Sequence, residues 1–229
     1  MGLPCTDSRQ TVLQKEAERE VCKYHDHPSF EYKGCVFRKI SNTEIKDYFN
    51  LRYRIFCQEL EWVPKNEDKL EIDRYDHSGY CKHIGSFLPS GKIIACMRLI
   101  LPSKNGWMLQ NELKEFFGKS PIPECRNDAV EITRLGIDQE FRDYGSSAIL
   151  LGLYKFIYQW SLKNKIFKWY FVTSKKFILF LKRFGFFVTI IGDGLNDRNE
   201  VFTVPGVIDL GRSVEQLKEK NITRYNFLS

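Results

Sequence analysis

Residues 93–101 read IIACMRLIL, an apolar run interrupted by one charge, Arg98. A second apolar stretch, Tyr80–Leu88, precedes it, and the connector at residues 89–91 is PSG, which has the chemistry of a hairpin turn. The two stretches therefore predict a β-hairpin. Because a guanidinium group inside an apolar strand is costly unless a carboxylate pairs with it, Arg98 also predicts acidic partners close by.

Strand and helix patterns continue on both sides of this hairpin. Predicted strands lie at Cys35–Ile40, Ala129–Ile137, Phe167–Thr173, Phe186–Ile191 and Glu200–Val204, and predicted helices lie at residues 41–60, 144–163, Lys175–Phe184 and Ser213–Lys220, with a loop at Trp62–Asp76. A doubly wound nucleotide-binding domain would alternate strand and helix from its start, which this chain does not. The order resembles a GNAT-type sheet. We therefore predict an α/β, GNAT-like acyl-CoA N-acyltransferase fold, with a mixed central sheet flanked by helices.

The bulk composition predicts one globular domain with an N-terminal extension. Of the 229 residues, 43% are hydrophobic and 14% aromatic, which is ample for a packed core. Residues 1–34 are polar and weakly patterned, so we predict a helix at Arg9–Tyr24 or a mobile arm there, followed by a single domain over 35–229. The longest apolar runs, such as Ala148–Leu153, are far shorter than the roughly 20 residues of a membrane span. No integral membrane segment and no secretory signal are expected.

The seven cysteines are scattered singly, without CxxC spacing. This pattern is typical of buried, reduced thiols, and it predicts a cytoplasmic protein. Cys22, His25 and His27 lie close together in the sequence, but no second cysteine pair supports a zinc site. We therefore expect neither a metal ion nor a bound cofactor.

Carboxylates are concentrated in residues 71–76, which read EIDRYD. In an extended segment, Glu71 and Asp73 would point to one side and Asp76 to the other. Three carboxylates this close repel one another unless a cation lies among them, so the segment predicts a binding site for a positively charged amine. The alternative is a solvated acidic loop.

The strand predicted at Ala129–Ile137 carries a second charged motif, EITR at residues 131–134. Period-two alternation places Glu131 and Thr133 on one face of this strand and Arg134 on the other. If the strand pairs with the one that carries the buried arginine of the hairpin, that arginine gains acidic neighbours. The alternative to an active site here is a structural ion-pair network.

Positive charge is concentrated in the C-terminal half. Residues 142–183 contain nine Lys or Arg residues and a single acid, Asp143, which favours an acidic partner such as a nucleic acid, an anionic membrane or an acidic protein. At the start of the helix in this region, Arg142 and residues 145–147 (GSS) combine backbone N–H groups with a helix dipole that suits a phosphate. The alternatives are a solvated basic face and an ordinary helix cap.

Taken in order, these motifs resemble those of the acyl-homoserine-lactone synthase (autoinducer synthase) superfamily. The matching positions are Leu51, Arg52 and Phe56 of an L-R-x-x-x-F motif, then Trp62, Glu71 to Asp76, Arg98, and Glu131 to Arg134. The resemblance covers about Phe37 to Phe187. Glu59 and Pro64 depart from the usual pattern, and residues 56–60 (FCQEL) and 76–78 (DHS) look more like a sister group, the N-acyl amino acid synthases and exosortase-associated acyltransferases.

The resemblance implies an N-acyltransferase that moves a fatty acyl group from an acyl carrier protein thioester, or from acyl-CoA, to the amine of an amino acid. An acyl-homoserine-lactone synthase acting on S-adenosylmethionine is the alternative, and a non-catalytic basic module that binds nucleic acid is a more distant one. The acidic carrier protein would bind the basic surface of residues 142–183. Its phosphopantetheine phosphate would lie near Arg142, Gly145, Ser146 and Ser147.

The same resemblance assigns roles to the charged residues. Glu131 is the first choice for the base that removes the amine proton, and Glu71 is the second. Arg98 and Arg134 would pair with the acids and complete the catalytic group. The substrate-binding residues would be Arg52, Phe56, Trp62, Asp73, Asp76, Leu99 and Thr133, with backbone N–H groups near Arg98–Leu101 stabilising an oxyanion.

Overall fold

A nine-stranded sheet dominates the part of the chain that the computed structural model describes, residues 24–77, 79–143, 145–197 and 199–229. Its strands are β1 (Phe30–Tyr32), β2 (Cys35–Lys39), β3 (Cys81–Phe87), β4 (Ile93–Ile100), β5 (Ala129–Ile137), β6 (Lys168–Ser174), β7 (Phe187–Ile190), β8 (Leu195–Asn196) and β9 (Phe202–Asp209). They lie side by side in the order β1-β2-β3-β4-β5-β6-β9-β7, with β8 paired to β9. Only β5 and β6 pair in parallel within these ranges. The predicted mixed α/β sheet is confirmed.

Helices cover both faces of this sheet. They are α1 (Ile45–Tyr53), α2 (Arg74–His77), α3 (Ser146–Lys163), α4 (Lys175–Phe184), α5 (Leu210–Lys220) and α6 (Ile222–Leu228), with short 3₁₀ turns at Met108–Gln110, Lys114–Phe117 and Gln139–Phe141. A π-helical turn, Arg54–Glu59, continues α1 directly. The helix predicted over residues 41–60 is therefore present, but its second half is more loosely wound than an α-helix.

Side-chain alternation along β4 separates an apolar face from a charged one. Met97 and Leu99 are fully buried in the main core together with Leu153 of α3. Arg98 points the other way, toward the side on which α1 packs, where it is also fully buried. Because successive side chains of a strand point to opposite faces, the apolar run of β4 places one guanidinium group beneath α1.

The strands β5 and β6 separate soon after they begin. Their described pairing joins Ala129 to Lys168, Val130 to Trp169 and Glu131 to Tyr170, and it stops there. The remaining residues of β5 pair with β4 only. A V-shaped gap therefore opens in the middle of the sheet, just beyond Glu131.

Most predicted boundaries agree with the structure, and a few predictions are wrong. The bounds predicted for β5 and α4 are confirmed residue for residue. Trp62–Asp76 is not all loop, since α2 begins at Arg74. The short strands β1 and β8 and the helix α6 were not predicted, and β9 runs five residues further, to Asp209, than the strand predicted to end at Val204. The helix predicted at Arg9–Tyr24 lies outside the described residues, apart from Tyr24.

No helix in the described part of the chain combines the length and the apolar character needed to cross a membrane. The longest, α3, has 18 residues and packs one side against β1, β2 and β3.

Candidate active site

A buried network of ion pairs lies between α1 and the sheet, and Arg52 of α1 is at its centre. Its Nε donates to Oε2 of Glu71 at 2.5 Å, and its two terminal nitrogens donate to the two carboxylate oxygens of Asp76 at 2.9 and 3.0 Å. The Arg52 side chain is completely buried. Since a buried guanidinium group is stable only when its donors are satisfied, these two carboxylates are what allow Arg52 to lie in the core.

Arg98 of β4 joins the same network from the sheet. Its Nη1 and Nη2 donate to the two oxygens of Asp73 at 2.7 and 2.8 Å, and Nη1 also donates to Asp76 Oδ1 at 2.9 Å. Its Nε donates to Thr133 Oγ1 at 2.9 Å. The acidic partners that the sequence predicts for Arg98 are therefore present, but they come from residues 71–76 rather than from Glu131.

Arg134 completes the network, although the face of β5 to which it points was predicted wrongly. Its Nη2 donates to Glu71 Oε1 at 2.8 Å and to Asp73 Oδ2 at 3.2 Å. Simple alternation would point it away from Thr133, but β5 has a bulge here and Arg134 has a φ of +52°. The bulge turns both side chains to the same face. The thiol of Cys96 donates to the Arg134 carbonyl oxygen, with Sγ and O 3.3 Å apart.

The EIDRYD segment is folded rather than extended. The α2 turn brings Asp76 back beside Glu71, so that both carboxylates bind Arg52, which corrects the prediction that they face opposite sides. The cations among the carboxylates are thus the protein's own. Three guanidinium groups balance the three carboxylates, as in the ion-pair network that the sequence left as an alternative.

The nearby arginines hold the carboxyl groups of Asp73 and Asp76 in their ionised form. Burial raises the pKa of Asp76, but the hydrogen bond from His83 and the charges of Arg52 and Arg98 outweigh it, and the pKa lies well below its ordinary value. For Asp73, burial likewise acts upward and the hydrogen bond from Arg98 lowers the pKa below normal. Asp73 is also the most exposed of the three acids, with 22% of its side chain accessible.

Glu131 lies beside this network in a different environment. Its side chain is fully buried, its Oε2 accepts the backbone N–H of Met108 at 2.7 Å, and its Oε1 has no hydrogen-bond partner among the described residues. Burial raises the pKa of Glu131 to about 8, although the N–H groups of Met108 and Leu109 oppose this. The predicted base is therefore a carboxyl group that exchanges a proton near neutral pH.

Of the predicted apolar contacts, two lie beside the network and one does not. The Phe56 ring stacks on the Trp62 ring with centroids 6.1 Å apart, and the Arg134 guanidinium lies 5.6 Å from the centre of the Phe56 ring. Trp62 is 45% exposed, so one side of this pair is open. Leu99 faces the main core on the other side of the sheet, and its backbone lies between β3 and β5. The structure therefore does not place Leu99 with the other candidate residues.

The predicted phosphate site is at the start of α3, on the far side of β5. Gly145 adopts the left-handed conformation, with φ of +101°, immediately before Ser146 and Ser147 begin the helix. Arg142 is held in place by the Ile137 carbonyl oxygen, 2.9 Å from its Nη2, and by both carboxylate oxygens of Glu59. The backbone groups at the helix start are thus where the sequence predicts, whereas the arginine already has an acidic partner.

Comparison with known proteins is decisive for the family. Residues 37–214 match the family model described as autoinducer synthase. The chain belongs to the autoinducer synthase family. An acyl-homoserine-lactone synthase of Aliivibrio fischeri is 32% identical over 163 residues, a match that covers 70% of this chain and 83% of that protein. Another, from Vibrio anguillarum, is 26% identical over 164 residues, covering 69% and 81%.

Solved structures agree with this family fold. The acyl-homoserine-lactone synthase LasI has a TM-score of 0.68 at 22% identity, covering 77% of this chain and 90% of LasI. FeeM, an N-acyl amino acid synthase from uncultured soil microbes, has a TM-score of 0.57 at 14% identity, covering 80% and 94%. The resemblance predicted from the sequence is thereby confirmed, and this member of the autoinducer synthase family is an acyltransferase.

Three contributors to this autoinducer synthase site were not singled out by the sequence. Met108 supplies the N–H for Glu131 from an irregular segment whose course no periodicity reveals. His83 and Cys81 lie next to Asp76, and His83 is the β3 partner of Arg98. That last position was not open to prediction from the turn at residues 89–91, because a bulge between Ser86 and Phe87 shifts the register of the hairpin by one residue.

The donor atoms of Asp76, Cys81 and His83 lie within 4.8 Å of one another, which is close enough for a metal ion. Asp76 is already bound to two guanidinium groups, so the donor set does not favour a cation there. Of the zinc ligands considered from the sequence, Cys22 lies outside the described residues. His27 Nδ1 lies 2.7 Å from the Pro28 carbonyl oxygen.

Proposed function

We propose that this autoinducer synthase family member is an acyl-homoserine-lactone synthase that acylates the amine of S-adenosylmethionine. The sequence left this activity as the alternative, and we prefer it to the first hypothesis, an N-acyl amino acid synthase. Relatives at up to 32% identity are acyl-homoserine-lactone synthases, whereas the likeness to FeeM, at 14% identity, is one of fold. The solved relative BjaI was captured with SAM and isopentyl-CoA, and TofI with an inhibitor and MTA.

The proposal rests on one observation: Glu131 is a buried carboxyl group with a pKa raised to about 8 and an Oε1 without a partner among the described residues. An amine attacks a thioester only after it loses a proton, and a general base is most effective when its pKa lies near the working pH. Glu131 has an oxygen, Oε1, that can take this proton, and its pKa lies in that range. Glu71, the second choice, has each oxygen bound by an arginine and is poorly placed to take a proton.

The acylation forms one bond and breaks one. The substrate nitrogen attacks the thioester carbonyl carbon, the C–N bond forms, the C–S bond breaks, and the donor leaves as a thiol. Glu131, as the carboxylate, takes the proton that the attacking nitrogen loses and gives it to the departing sulfur, so that the glutamate ends the step ionised. In the second step the carboxylate of the acylated substrate displaces the sulfonium sulfur, which closes the lactone and releases methylthioadenosine.

The ion-pair network would bind the amine substrate at its exposed edge. Asp73 and Arg134, at 22% and 16% side-chain exposure, are its most accessible members, and the Phe56 and Trp62 rings lie beside Arg134. A carboxylate and a guanidinium group side by side suit the ammonium and carboxylate groups of an amino-acid moiety. Arg52 and Asp76, both fully buried, would instead keep this edge rigid.

The acyl donor would approach from the α3 side of the sheet. Ser147 lines a surface cavity together with Arg183 of α4 and Arg224 of α6, above an apolar floor that includes Phe180 and Phe184. Lys176 and Lys182 of α4 are exposed on the same helix. A basic rim around an apolar pocket suits an acidic acyl carrier protein that delivers a fatty chain. Not all of the basic stretch is available for it, because Lys155 and Lys163 donate to the backbone carbonyls of Phe227 and Asp26.

A direct assay tests this proposal. The purified protein is incubated with an acyl carrier protein thioester or acyl-CoA and with S-adenosylmethionine, and in parallel with a panel of amino acids. Mass spectrometry should detect an acyl-homoserine lactone together with an equal amount of methylthioadenosine. Formation of N-acyl amino acids alone would restore the first interpretation of the sequence, and absence of any acylated amine from the folded protein would refute acyl transfer to these amines.

A further inference from the structure

His83 is a buried imidazole that touches the ion-pair network but belongs to no charged pair of its own. It lies on β3, directly opposite Arg98, and its Nε2 is 2.8 Å from Asp76 Oδ1. Only 13% of its side chain is exposed. The Tyr48 and Phe49 rings of α1 pack against it, with centroids 5.0 and 5.4 Å from the imidazole. The ring is therefore held in one orientation, with one edge against a carboxylate.

The geometry determines which nitrogen carries the proton. An unprotonated Nε2 at 2.8 Å from a carboxylate oxygen would place two lone pairs face to face, so Nε2 must be the N–H donor. The Cys81 sulfur, 3.4 Å from the same nitrogen, does not compete, because burial raises the pKa of its thiol to about 12 and leaves it neutral.

The surrounding charges favour a neutral ring. Arg52 and Arg98 are the nearest cations, Asp76 is the nearest anion, and the network is already balanced in charge. Burial lowers the pKa of His83, and the two arginines act in the same direction, while Asp76 opposes them. A neutral imidazole adds a hydrogen bond to the network without adding a fourth positive charge.

Asp76 needs this bond because one of its oxygens joins the two halves of the network. Oδ1 accepts from Arg52 at 2.9 Å, from Arg98 at 2.9 Å and from His83, while Oδ2 accepts from Arg52 and from the Asp73 backbone N–H. His83 is the only neutral side-chain donor to this carboxylate among the described residues. It approaches from β3, a direction that neither arginine covers.

We propose that His83 is a positioning residue for acyl transfer, whose Nε2–H fixes the Asp76 carboxylate and thereby the Arg98–Asp73 pair at the amine-binding edge. This role rests on the proposed function of that edge. His83 itself touches no reacting atom in this assignment. Its removal should therefore affect the binding of the amine rather than that of the acyl donor.

Four variants separate this role from a general contribution to folding. In His83→Gln the amide nitrogen reaches about the position of Nε2, whereas His83→Asn is one methylene shorter and His83→Met fills the space without a donor. The control is Lys82→Met, the neighbouring residue on β3, whose Nζ donates to Asp26 at 2.7 Å on the opposite face of the sheet. All four are compared with the parent in steady-state kinetics, varying the amine and the acyl thioester separately.

We expect His83→Asn and His83→Met to raise the KM for the amine by roughly tenfold, which is the effect of one lost hydrogen bond to a charged group. His83→Gln should restore most of that loss, and the KM for the acyl donor should stay constant in every variant. A merely structural role would reduce the amount of active enzyme and leave both KM values unchanged. Equal behaviour of the Asn and Gln variants, or an unaltered amine KM in His83→Met, would overturn the proposal.

A second measurement does not depend on which amine is the substrate. The chain has four histidines, so a long-range ¹H–¹⁵N correlation spectrum of histidine-labelled protein is readily assigned by the signal lost in His83→Gln. His83 should be the neutral Nε2–H tautomer, and Asp76→Asn should shift its resonances. A neutral Nδ1–H tautomer would overturn the proposal even if S-adenosylmethionine is not a substrate.

Discussion

Two buried glutamates on the same side of the sheet have opposite surroundings. Glu71 accepts hydrogen bonds from Arg52 on one oxygen and from Arg134 on the other. Glu131 accepts one backbone N–H, from Met108, and has no charged hydrogen-bond partner in the described part of the chain. The difference teaches that burial alone does not decide what a carboxyl group does. The arginines keep Glu71 in a structural role, whereas Glu131, which has no charged hydrogen-bond partner among the described residues, can exchange a proton.

The largest expected effect comes from Glu131→Gln. The amide has nearly the same shape but cannot take a proton, so kcat should fall by roughly 10²- to 10⁴-fold, the usual contribution of a general base. Because Glu131 carries its proton below a pKa of about 8, replacing it with a neutral group should not lower the melting temperature. Turnover under saturating substrates and thermal denaturation together check this prediction.

The pH dependence of the parent and of Glu131→Gln provides the control. In the folded state Glu131 keeps its proton up to about pH 8, whereas the unfolded chain loses it near the ordinary value of 4.5. Its contribution to stability should therefore decrease as the pH rises through that window, and activity should rise as the pH approaches 8. Both dependences should disappear in Glu131→Gln. A variant that keeps the parent's pH–rate profile would exclude Glu131 as the base.

The next largest effect should come from the matched substitution Glu71→Gln, and it should affect stability first. Losing this charge leaves Arg52 and Arg134 with one buried carboxylate fewer, and breaking a buried pair from one side costs about 3–5 kcal/mol. The free energy of unfolding, measured in urea at pH 7, should fall by that order. If Glu71→Gln kept its stability and lost turnover as completely as Glu131→Gln, the contrast between the two glutamates would be wrong.

The smallest effect should come from the surface of α4, which tests the donor end instead. Reversing two exposed charges, Lys176→Glu together with Lys182→Glu, should raise the KM for an acyl carrier protein thioester by roughly tenfold, since exposed pairs contribute about 0.2–1 kcal/mol each. The KM for acyl-CoA should change less, because it presents no protein surface. The exposed Lys114→Glu, outside the basic stretch, is the control. If the double substitution raised the KM for acyl-CoA as much as the KM for the acyl carrier protein thioester, a carrier-protein surface on α4 would be excluded.

How far the sequence predicts this site depends on the local backbone. Arg98 lies in a strand of plain alternation, and its burial and its need for acids follow from the apolar run around it. The partners were harder to predict, because residues 71–76 follow no period. A four-residue helix, α2, decides which carboxylates meet, and it is held by tertiary contacts such as that of the Tyr75 hydroxyl, which donates to Glu112 Oε2 at 2.5 Å.

The environment of Glu131 could not be predicted from the sequence, for a similar reason. Its position on β5 and its choice as the base were predicted, but the raised pKa depends on the cover supplied by residues 107–110. That segment is a 3₁₀ turn in which the Trp107 N–H donates to the Gln110 side chain. Neither hydrophobic periodicity nor a sequence motif indicates that this turn lies over the glutamate.

The bulge at Arg134 has a consequence for the genetics of this protein. Before it, Ile132 faces the main core; after it, Leu135 and Ile137 do so, with the phase of the strand shifted by one. Deleting the single codon for Arg134 would bring the strand back into regular alternation, and the apolar side chains of β5 that face the main core would still face it. The reading frame and the hydrophobic pattern would both survive, while one cation would vanish from a balanced set of charges. A one-residue change of length at this position would therefore remove a cation from the site while leaving the hydrophobic pattern of the strand intact.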